Sequence, residues 1–360
     1  PLSGNNGDYI AKEKIIEMHS PLVSFAINAT DKSSNSPFNH GIYSGEVWMD
    51  GQSIFAFKLD SISYDETRYV NACIDYSEYA RHKKYRQFLF SLPGNELNIY
   101  APTNTQGLVI LNDTNLHDIK IEAKDIDGNT STLNFKIQFS GISNNNFSYP
   151  ANAKPFLPGQ ENSVQGNSFK ANFTANAFYE AFPFVYIETP DNTANSASNT
   201  ISLGDYFIPV HDSYEILIQS TLAENDPLRN NVIVELMNGR KKIFQKGTWQ
   251  GNWMKGNFRD LGKIKLMIDT VPPELFKVGW ENGQTFTGNK TVNFRASDKG
   301  SDIQSFSALL DGKWLLFSNR NGLFTYNFDE HCTTGNHELK VTVTDIAGNE
   351  TTQQFSFIKK

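Results

Sequence analysis

Seven histidines are the first residues to test for chemistry, and they are scattered: His19, His40, His82, His117, His211, His331 and His337. None begins a His-x-His or His-x-x-x-Asp run, the spacings that aim two ligands at one zinc ion. His331 and His337 stand closest, but a zinc site needs three or four protein groups. His117 and His337 occupy the same position in a repeated segment, which points to a structural role at the head of a strand. The chain has no Gly-x-Ser-x-Gly nucleophile turn, no phosphate-cradling loop, no dinucleotide fingerprint and no helix with paired His. Asp125-Ile126-Asp127-Gly128-Asn129 has part of the spacing of a calcium loop, but its Gly comes two positions too early for an EF-hand. Its sister segment carries Ala347 where Asp127 stands, so a turn closed by the Asp side chain is the preferred reading. No catalytic, cofactor-binding or metal-binding residue is therefore assigned, and no cofactor is expected.

Two clusters have types suited to binding rather than reaction. Trp249-Gln250-Gly251-Asn252-Trp253 is the most aromatic loop. Its two indoles could stack on a sugar, or staple a sandwich, and the packing role is favoured because Trp usually serves it first. Arg81, Lys83, Lys84 and Arg86, with Tyr79 and Tyr85, could touch an anionic polymer such as peptidoglycan or lipopolysaccharide. A charge run is more often a solvated loop.

The elements that must carry these residues are strands. Leu339, Val341 and Val343 alternate with polar residues up to Asp345-Ile346-Ala347-Gly348-Asn349; Ile119, Ile121 and Ala123 do the same up to Asp125. A period of two marks a half-buried strand, and Asp-x-x-Gly-Asn is turn chemistry. Phe355 and Phe357, and Phe135 and Ile137, return as partner strands. Upstream, Asp50-Gly51 and Asp311-Gly312 are strong hairpin signals. Ile42 and Ile303 stand at the same distance before them, so two modules repeat front and back. The first carries an insertion, Asp65 to Arg86, expected as a strand, a short helical turn and a loop. The middle of the chain shows further short strands, at Phe169 to Phe173, Phe184 to Ile187, Tyr214 to Ile218, Val232 to Leu236 and Ile264 to Ile268. Asp269-Thr270-Val271-Pro272-Pro273 marks a seam, because prolines hold an extended connector and cannot donate to a ladder.

The expected fold is all-β: three tandem immunoglobulin-like β-sandwich modules joined by short linkers. The boundaries are 1–19, linker and leading strand; 20–140, a sandwich with an insertion; 141–159, linker; 160–268, a second sandwich; and 269–360, a C-terminal sandwich. A chain of 360 residues with 39% hydrophobic and 13% aromatic content, including 27 Phe, can fill three such cores. A net charge of −7 argues against a general nucleic-acid binder. No apolar run is long enough to span a membrane as a helix. The two cysteines, Cys73 and Cys332, fall in different modules and read as buried thiols. The first residue is Pro1, so an upstream part, with any export signal, is expected to have been removed or left out.

The order of short runs resembles one family. Phe25 to Asp31, Asn39 to Tyr43, Met49-Asp50-Gly51, Asp65 to Asn71 and Ile119 to Thr132 are similar to the region after the catalytic domain of lysostaphin-type (LytM-like) zinc peptidases of Bacteroidetes. Lys246 to Trp253, Phe258 to Gly262, Leu266 to Pro273, Asp311 to Trp314 and Thr344 to Asn349 continue the resemblance over nearly the whole chain. The family's zinc motifs are absent, so no catalytic residue carries over. The resemblance implies a non-catalytic β arm in the cell envelope, periplasmic or outer-membrane associated. Its implied partners are an upstream or separate peptidase domain, an envelope protein or peptidoglycan. Asp269-Thr270-Val271 and Asp60-Ser61-Ile62 look like the short O-glycosylation motif of those bacteria. Two other readings stay open: a stand-alone adhesion or scaffold protein, and a carbohydrate-binding or peptidoglycan-binding module resting on Trp249 and Trp253.

Overall fold

The Asp-Gly pairs turn the chain as their chemistry requires. Asp50 and Gly51 take φ of 50° and 81°, and Asp311 and Gly312 take 50° and 80°. Two successive positive φ values give the twist that matches paired strands. In each hairpin the Asp carboxylate then reaches across the sheet. Asp50 accepts from the Asp118 amide at 2.8 Å and Asp311 from the Glu338 amide at 2.9 Å, while His117 and His337 each bind the same Asp through Nδ1 at 2.7 Å. The repeated His is thus a brace between hairpin tip and strand head. Asp50 and Asp113 hold the His117 imidazole above its usual range, against a smaller opposing effect of burial. A raised His pKa contributes stability that is complete below about pH 6.5 and is lost as pH rises through the folded value. The melting temperature of the transition that includes module 1 should therefore fall, as pH rises above about 6.5, by more in the native chain than in His117→Gln; parallel pH profiles would refute the brace.

These turns belong to a computed structural model that describes residues 2–5, 7–32, 37–103, 105–141, 149–288 and 290–360. Almost every element is a strand. Module 1 is built on a six-stranded sheet in the order Leu2–Asn5, Asp8–Met18, Thr130–Phe139, Leu116–Lys124, Ser44–Met49, Gln52–Lys58. Strand Asp8–Met18 runs parallel to Thr130–Phe139 and the other pairs are antiparallel. Its second layer is fragmentary, made of two-stranded pieces such as Leu22–Val23 with Val109–Ile110 and Ala26–Ile27 with Gln87–Phe88. Val47, Phe55, Phe57, Leu89, Ile119 and Ile137 fill the space between.

Module 2 packs two antiparallel five-stranded sheets. One runs Asn162–Gln165, Phe169–Phe173, Tyr214–Gln219, Trp253–Phe258, Thr248–Gln250. The other runs Tyr186–Thr189, Thr200–Leu203, Gly262–Ile268, Val232–Asn238, Lys241–Gln245. Module 3 packs a four-stranded sheet led by Glu274–Lys277 on a five-stranded one that contains Gly335–Asp345 and Glu350–Lys359. The all-β, three-sandwich expectation holds.

Three local expectations differ. Residues 1–19 are not a linker with one short strand; Leu2–Asn5 and Asp8–Met18 extend the sheet of module 1. The charges of Lys12, Glu13 and Glu17 mask a strand whose Ile16 and Met18 pack on the core. The 141–159 linker ends early, because Lys154–Phe156 pairs with Phe182–Phe184, and buried Phe156 stacks on Phe184 at 4.2 Å. Residues 142–148 of that expected linker lie outside the described residues. The insertion opens with a 3-10 helix, Tyr64–Ala72, in place of a strand. Glu66 reaches back to the Ser63 amide and its own amide bonds the Ser63 carbonyl at 3.0 Å, which starts a helix despite the β-branched Thr67 and Val70. The short helix Tyr76–His82 follows, capped by Asp75 on the Glu78 amide at 3.0 Å.

Candidate functional site

The two Trp expected to share a sugar platform face opposite sides of one sheet. Trp249 is the cross-strand partner of buried Met254, and Trp253 is the partner of Gln250. Trp249 packs on the core of module 2, donates its indole N–H to the Arg229 carbonyl at 3.3 Å, and lies under the Arg229 guanidinium at 3.7 Å. Trp253 is half-buried on the outer face, with the Lys170 ammonium 5.3 Å from its ring. Trp249→Ala should therefore cost about 2–4 kcal/mol of module 2 stability, and Trp253→Ala less than about 1 kcal/mol. Denaturant melts of the two variants check this, and equal losses would contradict the opposed placement.

The basic cluster is largely spent on structure. The Arg81 guanidinium lies 3.6 Å from the ring of Phe207 in module 2. Arg86 pairs with Asp75 at 3.1 Å and with Glu78 at 3.7 Å. Lys83 caps the helix Tyr76–His82 and sits 4.8 Å from the Tyr79 ring. Lys84 is exposed. The helix faces the second module rather than presenting a cationic strip.

The insertion in fact builds the seam between modules 1 and 2. Tyr179 belongs by sequence to module 2 but is 2% exposed inside the core of module 1. Its hydroxyl donates to the Arg68 carbonyl at 2.9 Å and meets His211 Nδ1 at 3.0 Å. Tyr69 stacks on His211 at 4.0 Å and bonds Glu96 at 2.9 Å. Arg68 donates across the seam to the carbonyls of Val210 at 2.8 Å and Arg259 at 2.9 Å. Gly94 allows the contact: a Cβ there would stand 2.5 Å from the Phe178 carbonyl oxygen and 2.8 Å from Tyr179 Cα. Burial holds His211 below the usual imidazole range, with the Arg68 and Arg259 charges adding to this and Asp212 and Glu96 opposing it.

The joint between modules 2 and 3 is built differently. Ile233 and Met267 meet Ala347, with Phe244 and Ile346 alongside, in a small apolar contact. Asn231 bonds the Asn349 side chain at 2.7 Å, Asn349 bonds the Asp269 carbonyl at 2.9 Å, and Lys246 bonds the Ala347 carbonyl at 2.7 Å. Beside these contacts the carboxylates of Asp269, Asp298 and Asp345 converge, with one oxygen of each within 4.8 Å of the others. Asp269 and Asp345 are 3% and 1% exposed. Burial raises the Asp269 carboxyl above the usual carboxylate range, and the charges of Asp298 and Asp345 push the same way. Among the described residues no other three acids, His or Cys come together so closely.

Sequence reasoning took Asp269 as part of a linker and Asp345 as part of a turn, and did not single out Asp298. The repeat gave no signal for the group, since it pairs Asp345 with Asp125 of module 1 and not with Asp298 or Asp269. The turn weighed for calcium, Asp125 to Asn129, is closed on itself: Asp125 accepts from the Asn129 amide at 2.8 Å and side chain at 2.6 Å. Cys73 and Cys332 are both free and buried.

Comparison with known proteins divides the chain along the same lines. Residues 154–269 match the family model described as a Zu5-like domain, and residues 278–358 match that of a bacterial Ig-like domain. Neither description names a peptidase. No curated protein matches the chain. Among solved structures it is similar to the Bacteroides ovatus mixed-linkage glucan utilization locus protein SGBP-B, at 10% identity over 94% of this chain and 64% of that one, with a TM-score of 0.16. Latent dimeric PorU from Porphyromonas gingivalis is 11% identical over 69% of this chain and 22% of its own, with a TM-score of 0.22. The N-terminal four Ig domains of Dscam1 isoform 1.9 are 9% identical over 99% and 73%, with a TM-score of 0.20. The chain thus spans less than two thirds of the two bacterial proteins, and none of the three is close enough to bring a ligand with it. The third module carries a bacterial Ig-like domain and the second a Zu5-like one, on an all-β chain whose domains are of generally non-catalytic kinds.

Proposed function

We propose that this chain is a non-catalytic binding arm of the bacterial cell envelope, in which modules 1 and 2 act as one stiff body and module 3 is carried at its end. The observation that carries the reading is Tyr179, a module 2 residue buried in the core of module 1. A side chain shared between two cores couples their stability and removes the freedom expected of a small polar domain contact. The bacterial Ig-like match over residues 278–358 supports an envelope location. An arm of this build holds a partner at a fixed distance, and the resemblance noted in the sequence makes a zinc peptidase domain the first partner to try.

Small-angle scattering and a hydrolysis assay test this together. The expected outcome is an extended particle, no cleavage of peptidoglycan cross-links with or without added zinc, and retention on an isolated peptidase domain or on envelope material. Cleavage by the purified chain, or stoichiometric zinc in it, would overturn the reading.

A further inference from the structure

The outer face of the six-stranded sheet in module 1 carries an open hollow of about 800 Å³. Strand register sets four side chains in a row across it. Ile10, Asn134, Lys120 and Trp48 are successive cross-strand partners, so all four stand on the same face. Ile15, Lys136 and Asp118 form the row beside it. Ile10 and Ile15 are 57% and 46% exposed, and Trp48 is half-buried. The room between them comes from a bulge. Residues 11–14 of the strand Asp8–Met18 face Phe135 alone, and such an excess bends a strand. An exposed apolar floor edged with polar side chains marks a binding face.

Module 3 repeats the row. Leu309, Lys340 and Gln354 stand where Trp48, Lys120 and Asn134 do, and Trp314, 67% exposed, is the next partner of Leu309. Each module thus sets a Trp, a Lys and a side-chain amide in line across neighbouring strands. The copy in module 3 is smaller. Its hollow is about 350 Å³, and Gln284–Phe286 pairs only with residues 357–359, so no strand extends the row beyond Gln354. Module 1 holds the fuller site.

The groups on this floor select the ligand. The strands beneath it have spent their backbone donors and acceptors on one another, so an added peptide strand finds no ladder here. A phosphate chain would meet Asp118, paired with Lys136 at 2.6 Å, and Glu122, paired with Lys120 at 3.2 Å. A lipid chain would bury Asn134, Lys120 and Asp118 without partners. A sugar ring suits them all. Its C–H face packs on Trp48 or Ile10, and each hydroxyl both donates and accepts, so it serves Lys120, Asn134 and Asp118 alike. The Lys120 ammonium lies 4.5 Å from the Trp48 ring, and Glu122 gives it a place when a sugar takes that ring. Neighbouring strands are about 4.8 Å apart, and an extended β-1,4-linked chain advances by nearly the same length per ring. One ring therefore falls over each strand of the row, a match that a coiled α-1,4-linked chain loses. We propose that the outer face of module 1 binds an extended β-1,4-linked oligosaccharide of about four rings, laid across the strands from Trp48 to Ile10. The site lies within module 1 and stands or falls apart from the arm reading.

The test titrates the whole chain by calorimetry with cellotetraose, with N-acetylchitotetraose and, as the coiled control, with maltotetraose. At least one of the two β-linked probes should bind with a dissociation constant of about 0.1–1 mM, and maltotetraose roughly tenfold more weakly or not at all. Trp48→Ala should lose about tenfold in affinity or more, and Asn134→Ala about threefold to tenfold. Trp314→Ala should leave the affinity within about twofold, because it stands on the smaller copy. No heat from either β-linked probe at about 10 mM, or equal binding of maltotetraose, would overturn the proposal. So would a loss in Trp314→Ala without one in Trp48→Ala. A dimer in solution that Trp48→Ala dissolves would do the same, since a second copy would then cover the face. Should Trp48→Ala fail to fold, the exposed Asn134 decides: unchanged affinity in Asn134→Ala ends the proposal. Zinc or hydrolytic activity in the chain, which would end the arm reading, leaves this titration as it stands.

Discussion

Replacing Tyr179 by alanine is expected to uncouple modules 1 and 2 and to cost about 3–5 kcal/mol, the usual loss for a large buried ring. The ring is 2% exposed and packs at 6.0 Å from Tyr69. Its removal leaves a cavity in the core of module 1, although the residue belongs to the chain of module 2. Tyr179→Phe should cost only about 0.5–1.5 kcal/mol, since it keeps the ring and loses the hydroxyl contacts to Arg68 and His211. Calorimetry should show one joint transition for modules 1 and 2 in the native chain and two in Tyr179→Ala. Scattering should show a longer, more mobile particle at temperatures where both remain folded. A single undisturbed transition in Tyr179→Ala would mean that the seam is not a shared core.

The second large effect belongs to module 3. Trp280 is 4% exposed, and its ring centre lies 5.5 Å from Phe294 and 5.7 Å from Phe355. Its indole N–H donates to the Asn293 carbonyl at 2.9 Å. Trp280→Ala should cost about 3–5 kcal/mol. A domain of this size has a total stability of about 5–15 kcal/mol, so the loss brings module 3 close to unfolding at physiological temperature. The transition of modules 1 and 2 should stay where it is, because their cores share no residue with that of module 3. Limited proteolysis with mass spectrometry would show cleavage confined to residues beyond the Asp269 to Pro273 linker. If all three modules fell together, the joint between modules 2 and 3 would be as tight as the first seam.

What sequence could show depended on how local the cause was. The hairpins at Asp50 and Asp311 were legible because a two-residue turn sets its own backbone and its neighbours alternate. The paired His and Asp of each brace could be matched by position but not as partners, since only strand register brings them together. Tyr179 left no trace, because its burial is decided by another module and no periodicity records that. The Trp pair was misleading for a plain geometric reason. A tight hairpin through Gly251-Asn252 pairs position 250 with 253 and 249 with 254, so residues four apart across it face opposite sides. The acidic group failed in the same way as Tyr179: Asp269, Asp298 and Asp345 are distant in the chain and meet only when two modules abut.

The parallel strands at the borders of the modules have a mechanical consequence. In module 1 the long strand Asp8–Met18 lies beside the last strand, Thr130–Phe139, and in module 3 Gln284–Phe286 lies beside the last strand, Glu350–Lys359, each pointing the same way. When such a chain is pulled from its two ends, neighbouring parallel strands are dragged past each other lengthwise. Their hydrogen bonds then bear the tension together instead of opening one by one like a zip, so a tether made of these bodies resists flow or traction far better than its thermal stability alone would suggest.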